Sequence, residues 1–119
     1  MSKAQKPDYH PKGWGYELWI HNSPEYCGKL LFFEKGKKCS YHFHKKKTET
    51  FYVQSGKLLV RYGQSDDLAH CATVLLTAGD VFDVPRLMRH QMEAVEDTEL
   101  FEFSTEHFEE DSHRLEKGD

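Results

Sequence analysis

Short apolar or aromatic runs alternate with turn-forming clusters from Trp14 onward, and this alternation constrains the fold most strongly. Each run has the length of a β-strand, and the clusters between runs are rich in Gly, Pro, Asn, Asp and Ser. Many short strands at such spacing are typical of a β-sandwich or β-barrel. The predicted strands cover residues 14–20, 29–34, 39–44, 50–54, 57–62, 72–76, 81–84, 90–95 and 99–104.

The length of 119 residues predicts a single domain. Residues 1–13 are polar and contain two prolines and a glycine, so we expect a flexible N-terminal arm followed by one domain over residues 14–119. The last segment, residues 106–117, is strongly charged and has little apolar periodicity. It is expected to form a short charged C-terminal tail, either as a brief helix or as an irregular strap.

Composition excludes several functions. The net charge of −4 argues against a nucleic-acid partner, and the short basic run at residues 45–47 is expected to be a solvated loop. No apolar run reaches transmembrane length and no secretory signal is visible, so no membrane partner is expected. Three cysteines without a CxxC pair indicate a reduced, cytoplasmic protein.

Eight histidines are many for a chain of this length, and two of them lie two residues apart. Alternate residues of a strand point to the same face, so His42 and His44 can reach one metal ion. A four-residue hairpin would then bring Glu49 beside them, and His90 opens a later strand. Three imidazoles and one carboxylate suit a divalent first-row metal. A His-X-His pair alone would more often be a surface or core pair.

The spacing of glycines around these residues matches both motifs of a known family. The first motif is reproduced by Gly36, five residues, His42, one residue, His44, four residues, Glu49, six residues and Gly56. The second motif begins with Gly79, five residues and Pro85, and it places His90 where its histidine belongs. The chain therefore resembles the cupin superfamily over residues 14–104. The glycines permit positive φ at tight turns between strands.

This resemblance implies an all-β fold, a double-stranded β-helix or jelly-roll barrel, with one divalent transition metal (Mn, Fe, Zn or Ni) inside. The metal ligands that it implies are His42, His44, Glu49 and His90. Two positions depart from the second motif: Leu87 stands where the family has glycine, and Ala94 where it has asparagine. Neither is a ligand, so the departures concern loop geometry more than coordination.

A finer resemblance comes from residues outside the metal set. The run Trp14-Gly15-Tyr16-Glu17, residues 29–38 and residues 109–114 are similar to the isomerase domain of type II phosphomannose isomerases and to small sugar-isomerase-like cupins. One difference is that the bifunctional isomerases often carry glutamine where this chain has His42. The resemblance implies aldose–ketose interconversion of a sugar or sugar phosphate, in which a metal polarises oxygens and a base moves a proton.

Candidate residues for that reaction follow from their chemistry. Glu102, Tyr52 and Tyr62 are candidate catalytic bases or proton shuttles. Lys38 and Arg89, each close in sequence to a ligand, lead the candidates for binding an anionic substrate, followed by Arg61, Arg86 and Arg114. Each of these residues could instead be an ordinary surface or salt-bridge residue.

Two other functions fit the same pattern: a metal-dependent dioxygenase, and a non-catalytic carbohydrate-binding or sensing cupin. If Glu49 faces the interior, Phe51 and Val53 should do so too, and Met92 should follow His90. Such side chains could line a sugar site or form a plain core. The strand at 14–20 carries two tryptophans and a tyrosine, and we expect it to face a partner in a homodimer; its rings could instead fill the core of a monomer.

Overall fold

The computed structural model describes residues 3–119, which form two antiparallel sheets, and the prediction of an all-β jelly roll is confirmed. Two short 3₁₀ helices, Leu68–His70 and Glu109–Asp111, lie between strands. The strands are β1 (Asp8–Lys12), β2 (Gly15–Asn22), β3 (Cys27–Phe33), β4 (Tyr41–Phe43), β5 (Glu49–Ser55), β6 (Lys57–Gly63), β7 (Ala72–Thr77), β8 (Val81–Val84), β9 (Arg89–Ala94), β10 (Thr98–Ser104) and β11 (His113–Glu116).

The two sheets are assembled from hairpins and long-range pairings. One has the order β1-β2-β3-β10-β5-β8 and the other the order β11-β4-β9-β6-β7. Strand β10 lies between β3 and β5, so residues far apart in sequence share one interior face. Neighbouring strands in sequence often belong to opposite sheets, as β4 and β5 do. This crossing of the chain encloses a common interior between the sheets.

Strict alternation along the central strands builds the core. In β3, Leu31 and Phe33 are buried while the residues between and before them are half-buried, and in β5 Phe51 and Val53 are buried around half-buried Tyr52. Together with the burial of Met92, this confirms the predicted inward orientation of these side chains. Full burial of one such side chain contributes about 1.5–3 kcal/mol. The other end of the same interior is polar, and its lining is described below.

The sequence placed residues 1–13 in a flexible arm, and part of that segment is a strand. β1 pairs with β2 in register from Asp8 opposite Trp19 to Lys12 opposite Gly15. The ring of His10 stacks on that of Trp19 with centroids 3.9 Å apart. These contacts attach the segment to the six-stranded sheet. Residues 1 and 2 of the predicted arm lie outside the described residues, and the proposed division into arm and domain stays a prediction.

The predicted hairpin between His44 and Glu49 is wrong. β4 pairs with β9 and β11, whereas β5 pairs with β10 and β8, so residues 45–48 cross from one sheet to the other. Glu49 still faces the histidines, because it points into the barrel from the opposite wall. Local spacing cannot distinguish a hairpin from a crossing of this length.

The charged tail expected over residues 106–117 is also not what the structure has. Its last part is β11, an edge strand in which Arg114 lies opposite His42 of β4. The preceding 3₁₀ turn contains Asp111, which is buried. A charged sequence can form this strand because an edge strand leaves most of its side chains in water.

Four turn positions adopt positive φ. Three of them are the motif glycines, for which the sequence predicted this conformation. Gly36, Gly56 and Gly79 have φ of 82°, 96° and 92°. Leu87, which stands where the family has glycine, also has a positive φ of 72°. The backbone of this loop therefore keeps the glycine-type conformation although the residue is leucine.

Trp14 does not face outward, as the expected partner-facing strand would require. Its ring is buried and stacks on Phe33 with centroids 4.0 Å apart. Ile20, at the other end of that segment, is exposed. The homodimer stays a prediction. Among residues 3–119, no helix is long and apolar enough to cross a membrane, and all three cysteines are free.

Candidate metal centre

Three histidines converge at the polar end of the barrel interior. His42 lies on β4 directly opposite His90 of β9. His44 comes two residues after His42, immediately beyond the end of β4, and points to the same side. One ring nitrogen from each of the three lies within 4.8 Å of the other two. The period of two along a strand and the register between β4 and β9 therefore bring together three imidazoles that could bind a metal ion.

The orientation of each imidazole is fixed by a hydrogen bond at Nδ1. In each case the acceptor is a main-chain carbonyl, so Nδ1 carries the proton and Nε2 keeps its lone pair. The Nδ1–O distances are 2.9 Å from His42 to Ser40, 2.8 Å from His44 to Asp111 and 3.0 Å from His90 to Met88. Main-chain acceptors of this kind are the usual outer partners of metal-binding histidines.

Glu49 completes the group from the opposite sheet. Its Oε1 atom lies 3.1 Å from Nε2 of His44 and 3.5 Å from Nε2 of His90. Yet neither Oε1 of Glu49 nor Nε2 of His90, both buried, has a well-formed hydrogen bond within residues 3–119. Buried polar atoms without partners are costly. Three imidazole nitrogens and a carboxylate oxygen in this state fit a divalent metal ion.

The protonation states suit metal binding. Burial, followed by repulsion from the neighbouring imidazoles, lowers the pKa of His42 well below its usual value. Burial likewise lowers the pKa of His90. Burial alone would raise the pKa of Glu49, but Lys47 and the imidazoles outweigh it and hold that pKa well below its usual range. Neutral imidazoles and an ionised carboxylate are the forms that bind metals.

Lys47 is buried beside this group, which corrects the expectation of a solvated loop at residues 45–47. Only 3% of its side chain is exposed. Its Nζ atom lies 3.4 Å from Oε2 of Glu49, 3.1 Å from Oε2 of Glu102 and 3.0 Å from Nδ1 of His107. The two carboxylates raise the pKa of Lys47 despite its burial, so it stays charged. Exposed Lys45 and Lys46 directly precede it, and nothing in the sequence distinguishes Lys47 from them.

Glu102 is the second carboxylate of the interior, and it is one of the three predicted catalytic residues. Burial first, and the negative charge of Glu49 second, raise its pKa. Lys47 opposes this shift, and Oγ of Ser104 donates a 2.8 Å hydrogen bond to its Oε2 atom. Glu102 is therefore a buried acid whose proton affinity is increased.

Asp111 holds the loop that carries this group. Its carboxylate accepts hydrogen bonds from the main-chain N–H groups of Lys45, Lys46 and Lys47 at 2.9–3.2 Å. Burial would raise the pKa of Asp111, but these three donors outweigh it and lower the pKa. Because its carbonyl also accepts the His44 bond, this one residue of the 3₁₀ turn orients both the crossing loop and one imidazole.

Two cavities with several lining residues in common lie beside the histidines, and His42 borders both. The inner one has a volume of about 70 Å³ and is lined by the three histidines and by Glu49, Lys47 and Glu102, among others. The outer one is a cleft of about 470 Å³ that leads from His42 and Trp19 to the β11 edge. The two share the side chains of Glu17 and His107 as well as His42. A ligand in the cleft thus has access to the histidines.

The other predicted catalytic residues lie away from these cavities. Tyr52 alternates with the inward-facing Phe51 and Val53, so its side chain leaves β5 on the opposite face from Glu49. Tyr62 packs edge-on against Phe82 with ring centroids 5.3 Å apart. Neither lines the inner cavity or the cleft.

Of the five predicted substrate-binding cations, the structure brings only Arg114 to the cleft. Arg89 pairs with Asp66 at 2.8 Å and stacks over Phe43. Arg61 pairs with Glu93 at 2.8 Å. Arg86 donates to the main-chain carbonyl of Lys46, and Lys38 lines neither cavity.

Sequence reasoning missed several side chains of the polar interior. Lys29 contacts Glu17 at 3.5 Å and lies over the Trp19 ring at 4.4 Å. Its place was available from strand parity, since it lies on the same face of β3 as buried Leu31 and Phe33. His107 lies between β10 and β11 in an irregular segment, where no periodicity indicates direction.

Comparison with known proteins agrees with this geometry. A family model described as "Cupin domain" matches residues 29–104. The capsular polysaccharide assembling protein CapF from Staphylococcus aureus superposes on the chain with a TM-score of 0.82 at 21% identity, covering 95% of this chain and 35% of CapF. KdgF from Halomonas sp. superposes with a TM-score of 0.72 at 18% identity, covering 87% and 89% of the two chains.

A variant of oxalate decarboxylase from Bacillus subtilis also superposes, with a TM-score of 0.79 at 16% identity. That comparison covers 97% of this chain but only about a third of the decarboxylase. The chain likewise spans about a third of the length of CapF. No curated protein sequence matches the chain. At these identities the structural neighbours show a shared fold, and the family-model match supplies the family.

Proposed function

The chain belongs to the cupin family, and we propose that it is a metal-dependent sugar or sugar-phosphate isomerase that interconverts an aldose and a ketose. The observation that carries the proposal is the position of a buried Lys47–Glu102 pair beside the three histidines and Glu49 in one cavity. Isomerisation needs a group that polarises adjacent oxygens and a base that moves a proton between neighbouring carbons. This cavity offers residues for both tasks.

His42, His44, His90 and Glu49 would hold the metal, a divalent ion of Mn, Fe, Zn or Ni. When bound, such an ion supplies Lewis-acid polarisation of the substrate's carbonyl and hydroxyl oxygens. The residues themselves contribute order: each imidazole is tethered at Nδ1, and Lys47 occupies Oε2 of Glu49 and leaves Oε1 toward the histidines. Little reorganisation is then needed on binding.

Glu102 is the base in this proposal. Its raised pKa favours accepting a proton from the carbon next to the carbonyl and returning it to the neighbouring carbon. Lys47, held between the two carboxylates, fixes the position of Glu102 and offsets charge that develops nearby. Tyr52 and Tyr62 take no part, because their side chains line neither cavity.

The sugar class has support from a protein of the same fold, CapF, which is described as a capsular polysaccharide assembling protein. The inner cavity of about 70 Å³ is much smaller than the outer cleft of about 470 Å³, so only a small part of a ligand can enter it. The reacting end of an open-chain sugar fits such a space while the remainder stays in the outer cleft.

The test is a screen of metal-loaded protein against aldoses and aldose phosphates, with ketose formation followed by NMR. We expect one substrate class to be converted, and Glu102→Gln to lower kcat by about 100-fold or more with metal content unchanged. Glu99→Gln, the same change on the other face of β10, is the control and should leave kcat as in the wild type.

Two outcomes would contradict the proposal. Oxygen consumption by the iron-loaded protein, without isomerisation, would assign a dioxygenase. Sugar binding without turnover over the whole panel and all four metals would assign a carbohydrate-binding cupin.

A further inference from the structure

Three basic side chains in the outer cleft have no acidic partner. Lys12, Arg114 and Lys117 line the cleft and are exposed. Within residues 3–119, none of them forms an ion pair, whereas Lys29, Lys47, Lys57, Arg61 and Arg89 all do. Three like charges gathered at one concave surface repel one another unless an anion lies between them.

Among the described residues, no acidic side chain of the same cleft lies within ion-pair distance of these three cations. Glu17 accepts a 2.8 Å hydrogen bond from the indole of Trp19 and pairs with Lys29. The side chain of Asp119 accepts a 2.8 Å bond from the main-chain N–H of Lys38. The side chain of Glu109 is 78% exposed and lies 4.0 Å from His107.

Arg114 connects this basic cluster to the histidines. It lies opposite His42 in the β4–β11 ladder, and both side chains line the cleft. Cβ atoms of such cross-strand partners are about 4.5–5.5 Å apart. An anionic group held by Arg114 is therefore within the length of a small molecule from the three imidazoles. Arginine also offers the paired donors that match carboxylate and phosphate oxygens.

The sizes of the two cavities define how such a molecule would lie. The cleft volume of about 470 Å³ is within the range of about 300–1,000 Å³ usual for small-molecule sites. The inner cavity admits only the reacting end.

From these features we infer that the ligand of the cleft is an anionic sugar, whose phosphate or carboxylate is bound by Lys12, Arg114 and Lys117 while its carbonyl end points to the histidines. The inference rests on the proposed function for the sugar part. The basic cluster itself is independent of turnover, so binding tests it separately.

The experiment measures binding of three probes to metal-loaded protein by calorimetry: D-glucose 6-phosphate, D-glucuronate and D-glucose. We expect at least one anionic probe to bind about tenfold or more tightly than glucose, and this advantage to shrink as salt rises. Binding of the phosphate alone or of the carboxylate alone identifies the anion. Equal binding of all three probes would overturn the inference. So would the absence of binding by either anionic probe at about 10 mM.

The matched variants carry equal charge changes. Lys12→Gln/Arg114→Gln/Lys117→Gln should reduce the affinity for the anionic probe by about tenfold or more and leave metal content unchanged. Lys35→Gln/Lys37→Gln/Lys57→Gln removes three positive charges outside the cleft and should keep wild-type affinity. Equal losses in the two triple variants would mean a non-specific charge effect and would overturn the assignment.

These outcomes separate the inference from the proposed function. Anion binding that depends on the cleft cations, without conversion of any sugar, would retain the inference and remove the isomerase. Conversion of neutral sugars with no anion preference would do the opposite.

Discussion

Lys47 is the residue on which the charge balance of the interior depends. Two carboxylates, Glu49 and Glu102, are buried on one side of the cavity, and the ammonium group lies between them. A buried ion pair adds little net stability over an apolar pair, but removal of one member leaves an unpaired buried charge. Removal of the Lys47 ammonium group would leave two buried carboxylates, Glu49 and Glu102, without their partner.

Lys47→Met should therefore destabilise the metal-free protein by about 3–5 kcal/mol. The measurement is denaturant unfolding of protein dialysed against a chelator. Lys45→Met changes an exposed lysine of the same loop and should alter the free energy of unfolding by about 0.5 kcal/mol or less. Similar values for the two variants would contradict the role given to Lys47.

The cysteines should differ sharply in reactivity. Burial raises the pKa of Cys39 to about 12 and also raises that of Cys27, whereas Cys71 is partly exposed. Because the thiolate is the reactive form, native protein treated with iodoacetamide at about pH 8 should be alkylated at Cys71 first. Peptide mass spectrometry reads out the site, and modification of Cys39 at the rate of Cys71 would contradict the burial.

The loop before β9 is the element in which sequence and backbone disagree. Leu87 has a φ of 72°, a conformation that costs a residue with a side chain about 1–2 kcal/mol relative to glycine. Its N–H donates a 2.8 Å bond to the carbonyl of His44, so the strained turn is attached to one of the imidazoles. The loop also leads directly into His90, and its geometry helps to set the distance between these ligands.

Leu87→Gly should raise the free energy of unfolding by up to about 1 kcal/mol, because relief of strain exceeds the added chain entropy and the side chain is 47% exposed. The control is Leu75→Gly, which changes a similarly exposed leucine within β7. This variant should have a lower free energy of unfolding than the wild type. Thermal or denaturant unfolding measures both. Destabilisation of similar size in the two variants would show that Leu87 stabilises the loop by its contacts.

Elements that the sequence predicted well are those in which periodicity and turn chemistry agree. The alternation in β5 and the positive φ of Gly36, Gly56 and Gly79 follow from local rules. Failures arose where a long-range choice decides the structure. The crossing between β4 and β5 has the length of a hairpin, and β11 gains its form from pairing with β4.

The candidate site shows the same division. Spacing indicated His42, His44, Glu49 and His90, because ligands on strands obey the period of two. Lys47 and His107 lie in connections, where no local rule gives side-chain direction. The paired Arg89 and the free Arg114 could not be ranked from sequence, since their environments depend on partners far along the chain.

At the scale of the whole molecule, the outer face of the six-stranded sheet carries exposed apolar side chains. Ile20 and Phe103 are each 56% exposed, and they flank Gly28 in neighbouring strands. Contiguous apolar surface of this kind marks an interaction site in many proteins. We expect a second copy of the chain to cover it.

The chain should accordingly elute as a homodimer in size-exclusion chromatography with light scattering. Phe103→Asp should give a folded monomer, because a charge would be buried in the interface. Leu75→Asp, at a similarly exposed position on β7, the edge strand of the other sheet, is the control that should stay dimeric. A wild-type monomer at about 100 μM, well above the Kd range of specific dimers, would contradict the expectation.

The proposed function depends on one metal ion held between the two sheets by the three histidines and Glu49. The direct measurement is metal content of purified protein by mass spectrometry, in the wild type, His90→Ala and His70→Ala. His70 is an exposed histidine outside the cavities and serves as the control. We predict one equivalent of a divalent transition metal in the wild type and in His70→Ala, and its loss in a folded His90→Ala. Unchanged metal content in His90→Ala would contradict the claim.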